Sequence, residues 1–444
     1  MPVMKTLFAA ISLALCCASQ NVLAALPIQS WTLDNGARVL FVENHSIPIL
    51  DLNLDFDAGT RRDPKNRAGL AELTNAMLAR GVRGKAAEPP LTEAQISNAF
   101  ADTAAERGGG AGIERSGVSL RTLSGVKERS AAIGMLARVV AQPSFPQALL
   151  QRDKARTIAA IKEALTKPEE LADKAFWKQL YGTHPYAYEA TAQSVAAITR
   201  DDVVAFHRHH YVVNRLVISM IGDVSRTDAE HIAQQLTARL PQGAALPPLP
   251  EVKILPARQI RIAHPASQAH ILLGVPALTR TDPDYFPLLV GNYVLGGGGF
   301  VSRLTQEVRE KRGLTYGVYS SFNAMAQKGP FQISLQTKKD SAEQALQVVD
   351  DTVAAFLRDG PTAAELQAAK DNLIGGFPLR LDNNRKVLAN IALIGFYQLP
   401  LDYLDTWTAH VQQVTLAEVR AAFARKLALD QLSTVMVGAA PTKP

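Results

Sequence analysis

One pattern occurs twice along this chain, and that repeat limits the folds open to it. Arg62-Asp63-Pro64 leads into an apolar helix ending at Gly81, and Thr281-Asp282-Pro283 leads into an apolar helix ending at Gly296. Near the close of each stretch stands an apolar strand ending in glycine, Val217 to Gly222 and Thr434 to Gly438. Between the two, Pro241 to Pro256 is rich in Pro, Ala and Gly without periodicity, the composition of a linker. At 444 residues the chain is also too long for one ordinary core. Repeat and length together predict an α+β fold of two similar sheet-plus-helices domains related by duplication. Their expected spans are 25–242 and 259–444, with 243–258 as the linker.

Within each stretch strands alternate with helices. Trp31-Thr32-Leu33, Asn35-Gly36 and Arg38 to Val42 predict a hairpin around a tight turn. Ile49 to Asp57 alternates apolar and polar residues, as a half-buried strand does. Asp63-Pro64 and Asn66 precede a helix expected over 68–80, and a longer helix is expected over 146–166. Leu216 to Gly222 reads as a short buried strand. After the linker the order resumes with Ile260 to Ile262, a strand over 269–275, and Asp282-Pro283 ahead of a helix.

The N-terminus carries a basic start, Met1 to Lys5, an apolar stretch from Leu7 to Ala18, and Val22-Leu23-Ala24 as a small-residue cleavage pattern. This predicts a signal peptide over 1–24 and an exported mature chain. The apolar run is too short to span a bilayer, and no later one reaches that length. Cys16 and Cys17 are the only cysteines, so the mature chain is expected to have no disulfide, thiol nucleophile or thiolate ligand. The formal charge of +6 is thin for this length, and no Lys/Arg run with interleaved aromatics occurs. Nucleic acid is therefore not the expected partner. No Gly-x-Ser-x-Gly nucleophile motif is present, and His207 and His209 would point to different sides of a helix.

The segment Gly69-Leu70-Ala71-Glu72-Leu73-Thr74-Asn75-Ala76-Met77-Leu78 resembles the zinc helix of the pitrilysin and mitochondrial-processing-peptidase family. That family places His-x-x-Glu-His between Gly-Leu-Ala and Met-Leu. Residues four apart share a helix face, so two imidazoles can grip one zinc while the Glu serves the metal-bound water as general base. Laid over that frame, Glu72 stands for the first His, Asn75 for the Glu and Ala76 for the second His. The family's third ligand, a Glu on a later helix, corresponds to the Ala159/Ala160 positions. A methyl group cannot bind metal and an amide cannot take a proton from water. The resemblance therefore implies no metal and no cofactor in this chain, with these as degenerate zinc-motif positions.

Leu295-Gly296-Gly297-Gly298-Gly299-Phe300, followed by Ser302-Arg303-Leu304 and Glu307 to Tyr316, resembles the second-domain signature of the same family. A P-loop is the rival reading of the glycines, and no Gly-Lys-Ser/Thr follows them. The resemblance implies that Gly296, Gly297, Gly298 and Gly299 contact substrate. It also implies that Arg309 and Tyr316 reach the scissile peptide, as electrostatic donors to the oxyanion growing beside zinc. An ion pair of Arg309 with Glu307 or Glu310 is the structural alternative.

The resemblance runs from about Pro27 to Gly438 and implies two domains enclosing a chamber with a partner subunit. Some bacterial relatives divide the chemistry between two chains, and this one looks like the non-zinc kind. Such a chain is a periplasmic subunit, inactive alone. Its expected partner is a homologous zinc-binding peptidase subunit carrying His-x-x-Glu-His, and its expected substrate is unfolded peptide. The alternative is a catalytically silent structural or peptide-binding homologue, resembling the protease-derived core proteins of respiratory complexes.

Overall fold

The computed structural model describes residues 26–85 and 88–440, so the signal peptide expected over 1–24 and both cysteines lie outside the described residues. The first half supplies β1 (Gln29–Thr32), β2 (Arg38–Glu43), β3 (Ile49–Phe56), β4 (Gly81–Val82), β5 (Leu91–Thr92), β6 (Glu106–Ala111), β7 (Ser116–Leu123) and β8 (Leu216–Gly222). β4 and β5 pair with each other. The rest form one sheet in the order β1-β2-β8-β3-β7-β6. The expected hairpin joins β1 to β2, with Gly36 at φ +90° and the Asn35 carboxamide accepting from the Ala37 amide at 3.2 Å. β3 runs through the centre. Leu50, Leu52, Leu54 and Phe56 face the buried core, while Asp51 and Asp55 turn the other way, to Arg121 and Arg115.

The second half supplies β9 (Gln259–Ile262), β10 (Gln268–Leu278), β11 (Thr315–Phe322), β12 (Gly329–Lys338) and β13 (Ser433–Val437), ordered β11-β12-β10-β13-β9. The repeat read from the sequence reappears as topology. In one sheet β2 pairs parallel with β8, and β3 pairs antiparallel with β8 and β7, which pairs antiparallel with β6. In the other, β9 pairs parallel with β13, and β10 pairs antiparallel with β13 and β12, which pairs antiparallel with β11. Strand for strand, β2, β3, β6, β7 and β8 correspond to β9, β10, β11, β12 and β13.

Sheet membership follows the two sequence halves; the helical cover does not. The helix Pro168–Tyr181 precedes the linker yet packs on β10 and β13, burying Ala172, Phe176 and Leu180 with Leu272, Val435 and Val437. Reciprocally, the helix Asn384–Tyr397 packs on β2, β3 and β8, where Val387 and Ile391 bury Val42 and Ile221. Both docks depend on a glycine. A Cβ on Gly274 of β10 would lie 2.7 Å from Phe176 Cζ, and one on Gly395 would lie 2.6 Å from Val217 Cγ1. Each half thus lends one helix to the other's sheet.

Where the halves meet, the buried Glu114 carboxylate gathers donors from both. It pairs with the buried Arg61 guanidinium and accepts from the Tyr186 hydroxyl at 2.5 Å. From the second half it accepts from the Tyr397 hydroxyl at 2.5 Å and the Ala326 amide at 3.1 Å. The segment expected to be a linker has no regular structure, and it is pinned along the first half. Gly243 O accepts from Asn214, Ala244 O from Arg215 and Pro247 O from Arg62, while Val252 is buried. Among the described residues no helix is long and apolar enough to cross a membrane.

Candidate active-site remnant and a neighbouring cavity

The helix Leu70–Met77 begins where Asp63 accepts from the Gly69 and Ala71 amides at 2.7 and 2.8 Å, satisfying two otherwise unpaired donors of its first turn. Its four-residue spacing turns Glu72 and Ala76 outward. Asn75 turns in and donates to Gly117 O at 3.1 Å and to the Tyr211 hydroxyl at 3.3 Å. At the general-base position of the resemblance there is therefore a buried amide that ties the helix to β7.

Glu72 and Ala160 line one cavity of about 450 Å³, with Trp177, Tyr186, Tyr188 and Glu189. The later helix that presents Ala160 is Gln147–Ala164, close to the span expected for it. Although Glu72 reaches solvent, desolvation by the cavity walls around it lifts its carboxyl above the ordinary range, and the neighbouring Glu189 carboxylate adds to the rise. Glu189 is also raised by burial, although Lys174 at 3.3 Å pulls against that. The donor set does not fit zinc: Glu72 brings an oxygen, whereas the Ala76 and Ala160 positions offer only methyl groups. Among the described residues no group of three or more His, Cys, Asp or Glu side chains is arranged to hold a metal. His207 and His210 are buried and bonded to backbone carbonyls, Val140 O at 2.8 Å and Asp57 O at 3.1 Å, and burial lowers both to about 4. They serve packing.

A second cavity, about 510 Å³, lies against β10, β11 and β12 and is lined by Tyr316, Gly317, Tyr319, His270, Ser334 and Gln336 among others. Glu170 and Asp173, from the first turns of the Pro168–Tyr181 helix, border both cavities. The emptied zinc position and the Tyr316 wall are thus neighbours within one chain, separated by a helix the first half lends to the second sheet. Tyr316 is 86% exposed.

The glycine run leaves the helix Tyr285–Asn292 through a π-helical turn, Tyr293–Gly297. Gly296 is buried, because a Cβ there would lie 2.4 Å from Ser320 Oγ and 2.7 Å from Leu304 Cδ1. Its missing side chain serves packing, which narrows the surface-facing part of the expected substrate loop to Gly297, Gly298 and Gly299. Gly299 adopts φ +61° with open space around it. Arg309 sits in a second π-helical segment, Thr305–Glu310. Its guanidinium lies 4.6 Å from the centre of the exposed Phe300 ring and 3.4 Å from Glu310, while Glu307 pairs with Lys311 and Arg312 instead.

Three residues of consequence carry little mark in the local sequence. Glu114 lies in a turn between two strands, where a charge ordinarily signals solvent. Gly317 and Tyr319 follow the Arg/Tyr signature, and the pattern Tyr-Gly-Val-Tyr is the available signal.

A family profile described as Peptidase M16 inactive domain matches residues 197–373. The crystal structure of a peptidase M16 inactive domain from Pseudomonas fluorescens is 40% identical, superposes with a TM-score of 0.89, and covers 94% of this chain and 99% of its own. The Helicobacter pylori protein named non-peptidase homolog YmxG is 28% identical over 391 residues, 86% of this chain and 87% of that one. An uncharacterized zinc protease YmxG from Bacillus subtilis is 23% identical over 427 residues, 94% of this chain and 100% of that one.

Proposed function

Since this chain belongs to the M16 peptidase family, the pitrilysin group expected from its motifs, and resembles the members described as inactive, we propose that it is the non-zinc subunit of a periplasmic heterodimeric metallopeptidase. The observation carrying this reading is the contrast between two neighbouring cavities. One has lost every zinc ligand, and the other presents Tyr316 almost wholly to solvent. A phenol exposed to that degree is free to meet a ligand at the cavity wall, as this reading requires.

In this reading a homologue carrying His-x-x-Glu-His brings zinc, whose chemistry is to polarise the peptide carbonyl and acidify a bound water. This chain binds unfolded peptide along Tyr316 and the surface of Gly297 to Gly299. The Tyr316 hydroxyl and the Arg309 guanidinium are the donors set against the developing oxyanion. To do so Arg309 has to leave Phe300 and Glu310, giving up an exposed cation–π contact of about 0.5–1 kcal/mol and a partly exposed ion pair of about 0–1 kcal/mol.

Co-purification with such a homologue, followed by hydrolysis of an unstructured peptide, tests the proposal. Chelator-sensitive cleavage should appear in the pair and not in this chain alone. Arg309→Ala and Tyr316→Phe should each lower kcat by about two to three orders of magnitude. Full activity of the partner alone, or of the pair carrying Arg309→Ala, would show instead a silent structural homologue.

A further inference from the structure

Regular pleating sends successive side chains to opposite faces, so residues three apart on a strand should not share a surface. Tyr316 and Tyr319 share one. The reason is a bulge in β11. Thr315 pairs with Thr337 and Val318 with Leu335, so three steps on β11 match two on β12. The additional residue keeps Thr315 and Val318 both buried and brings both tyrosines to the 510 Å³ cavity. The bulge is held by Thr315, whose hydroxyl donates to Gln336 O at 2.6 Å and accepts from the Gly317 amide at 3.1 Å. Gly317 in turn seats the Tyr319 ring: a Cβ there would lie 2.9 Å from Tyr319 Cε2 and 3.1 Å from its hydroxyl. A bulge interrupts the ladder and re-aims side chains, and such devices gather beside functional sites. Here its product is two solvent-facing phenol rings, 86% and 56% exposed, beside Ala172, Ile271, Leu272 and Leu335.

We propose that Tyr319 is a specificity-determining residue: with Tyr316 it forms a two-ring clamp for an aromatic or large aliphatic side chain of an extended peptide. The clamp rests on the reading of this chain as a peptide-handling subunit. It assigns the rings to a neighbouring side chain of the substrate and leaves the Tyr316 hydroxyl free for the scissile carbonyl. The exposed faces of the two rings supply both the apolar area to be buried and the geometric preference, since the aliphatic residues beneath them are already buried.

The full chain is titrated by fluorescence anisotropy with labelled, unstructured peptides that carry one variable residue, Phe, Ala or Arg, in a Gly/Ser background. The Phe peptide should bind about tenfold more tightly than the Ala peptide. Tyr319→Ala should abolish that ratio, Tyr319→Phe should retain it, and Gly317→Ala, which unseats the ring without removing it, should reduce it. The exposed position of Tyr319 predicts unchanged melting for the Tyr319 variants, which separates recognition from folding. An unchanged Phe/Ala ratio in Tyr319→Ala would overturn the clamp. So would a preference for the Arg peptide, since recognition would then belong to the carboxylates of Glu169, Glu170 and Asp173. The two readings fail separately. Peptide cleavage by the pair that depends on Arg309 while selectivity ignores Tyr319 removes the clamp alone. A Tyr319-dependent ratio without cleavage in the pair removes the catalytic role alone.

Discussion

Replacing Glu114 by Gln keeps its shape and removes its charge, and the surroundings allow the cost to be worked out. The two carboxylate oxygens accept from the Arg61 guanidinium, the Tyr186 and Tyr397 hydroxyls and the Ala326 amide, all donors. A carboxamide has one oxygen, and its NH2 would face a donor in either orientation. Arg61 would keep only Asp57, 3.1 Å away, as a counter-charge. Leaving one member of a buried pair without its partner costs about 3–5 kcal/mol. Because Asp57 retains part of the compensation, the lower end, about 3 kcal/mol, is the expected loss for Glu114→Gln. Tyr397→Phe, which removes one bond to an ionised acceptor, should cost about 1.5–3 kcal/mol. Urea unfolding of parent, single and double variants would give both values and their coupling. The double variant should lose less than the sum, because Tyr397 matters chiefly through the Glu114 charge. A Glu114→Gln chain within about 0.5 kcal/mol of the parent would refute the claim that this carboxylate fastens the two halves.

The packing dictates three further outcomes. His207 and His210 titrate near 4 in the fold against an ordinary 6.5, so both are neutral at pH 7. Below 6.5 the unfolded chain takes up protons that the fold refuses; stability is therefore full above that pH and declines towards 4, by roughly 3 kcal/mol for each group. Asp55, Asp63 and Asp350, raised by burial to about 6, 7 and 6, work in the opposite sense, so the measurement is the difference in Tm between His207→Gln and the parent, which should move in the variant's favour as pH falls from 6.5 towards 4. Gly274→Ala would set a Cβ 2.1 Å from Phe331 O and 2.7 Å from Phe176 Cζ; it should cost about 1–3 kcal/mol and speed proteolysis of the Pro168–Tyr181 helix, and parental melting would contradict the dock. Finally, Glu72→His, Ala76→His and Ala160→Glu together should create a site for about one zinc per chain by elemental analysis, without peptidase activity, because Asn75 stays tied to Tyr211 and Gly117 and cannot act as a base.

What could be read from the sequence was what neighbouring residues decide. The alternation of Ile49 to Phe56, the Asn35-Gly36 turn and the apolar face of Leu70 to Met77 are local patterns, and each became the expected element. The repeat was legible too, since a duplicated order of strands leaves a duplicated order of signals. Contacts across long separations left no such mark. Nothing in Pro168 to Tyr181 says which of two similar sheets it will cover, because an apolar helix face fits either. Glu114 and Arg61 read as surface charges until tertiary packing buries them together. The β11 bulge was hidden for a related reason: its register is defined by β12, and Thr315-Tyr316-Gly317 alone does not specify a partner. Gly296 shows the limit of composition, as four glycines suggested one loop although the first of them serves the core.

The exchange of helices has a consequence in time as well as in space. While the chain emerges from its N-terminus, the first sheet is complete at Gly222, yet the face awaiting Val387 and Ile391 stays bare until synthesis has passed residue 397. A nascent chain arrested before that point would carry a greasy sheet surface with no cover, the kind of surface that holdases recognise and that aggregates without them. The first half has its own core, drawn from residues between Leu33 and Leu240, on one face of its sheet; the other face is the one that waits. Such a chain is slow to commit, since its decisive contacts join residues about 90 to 350 positions apart.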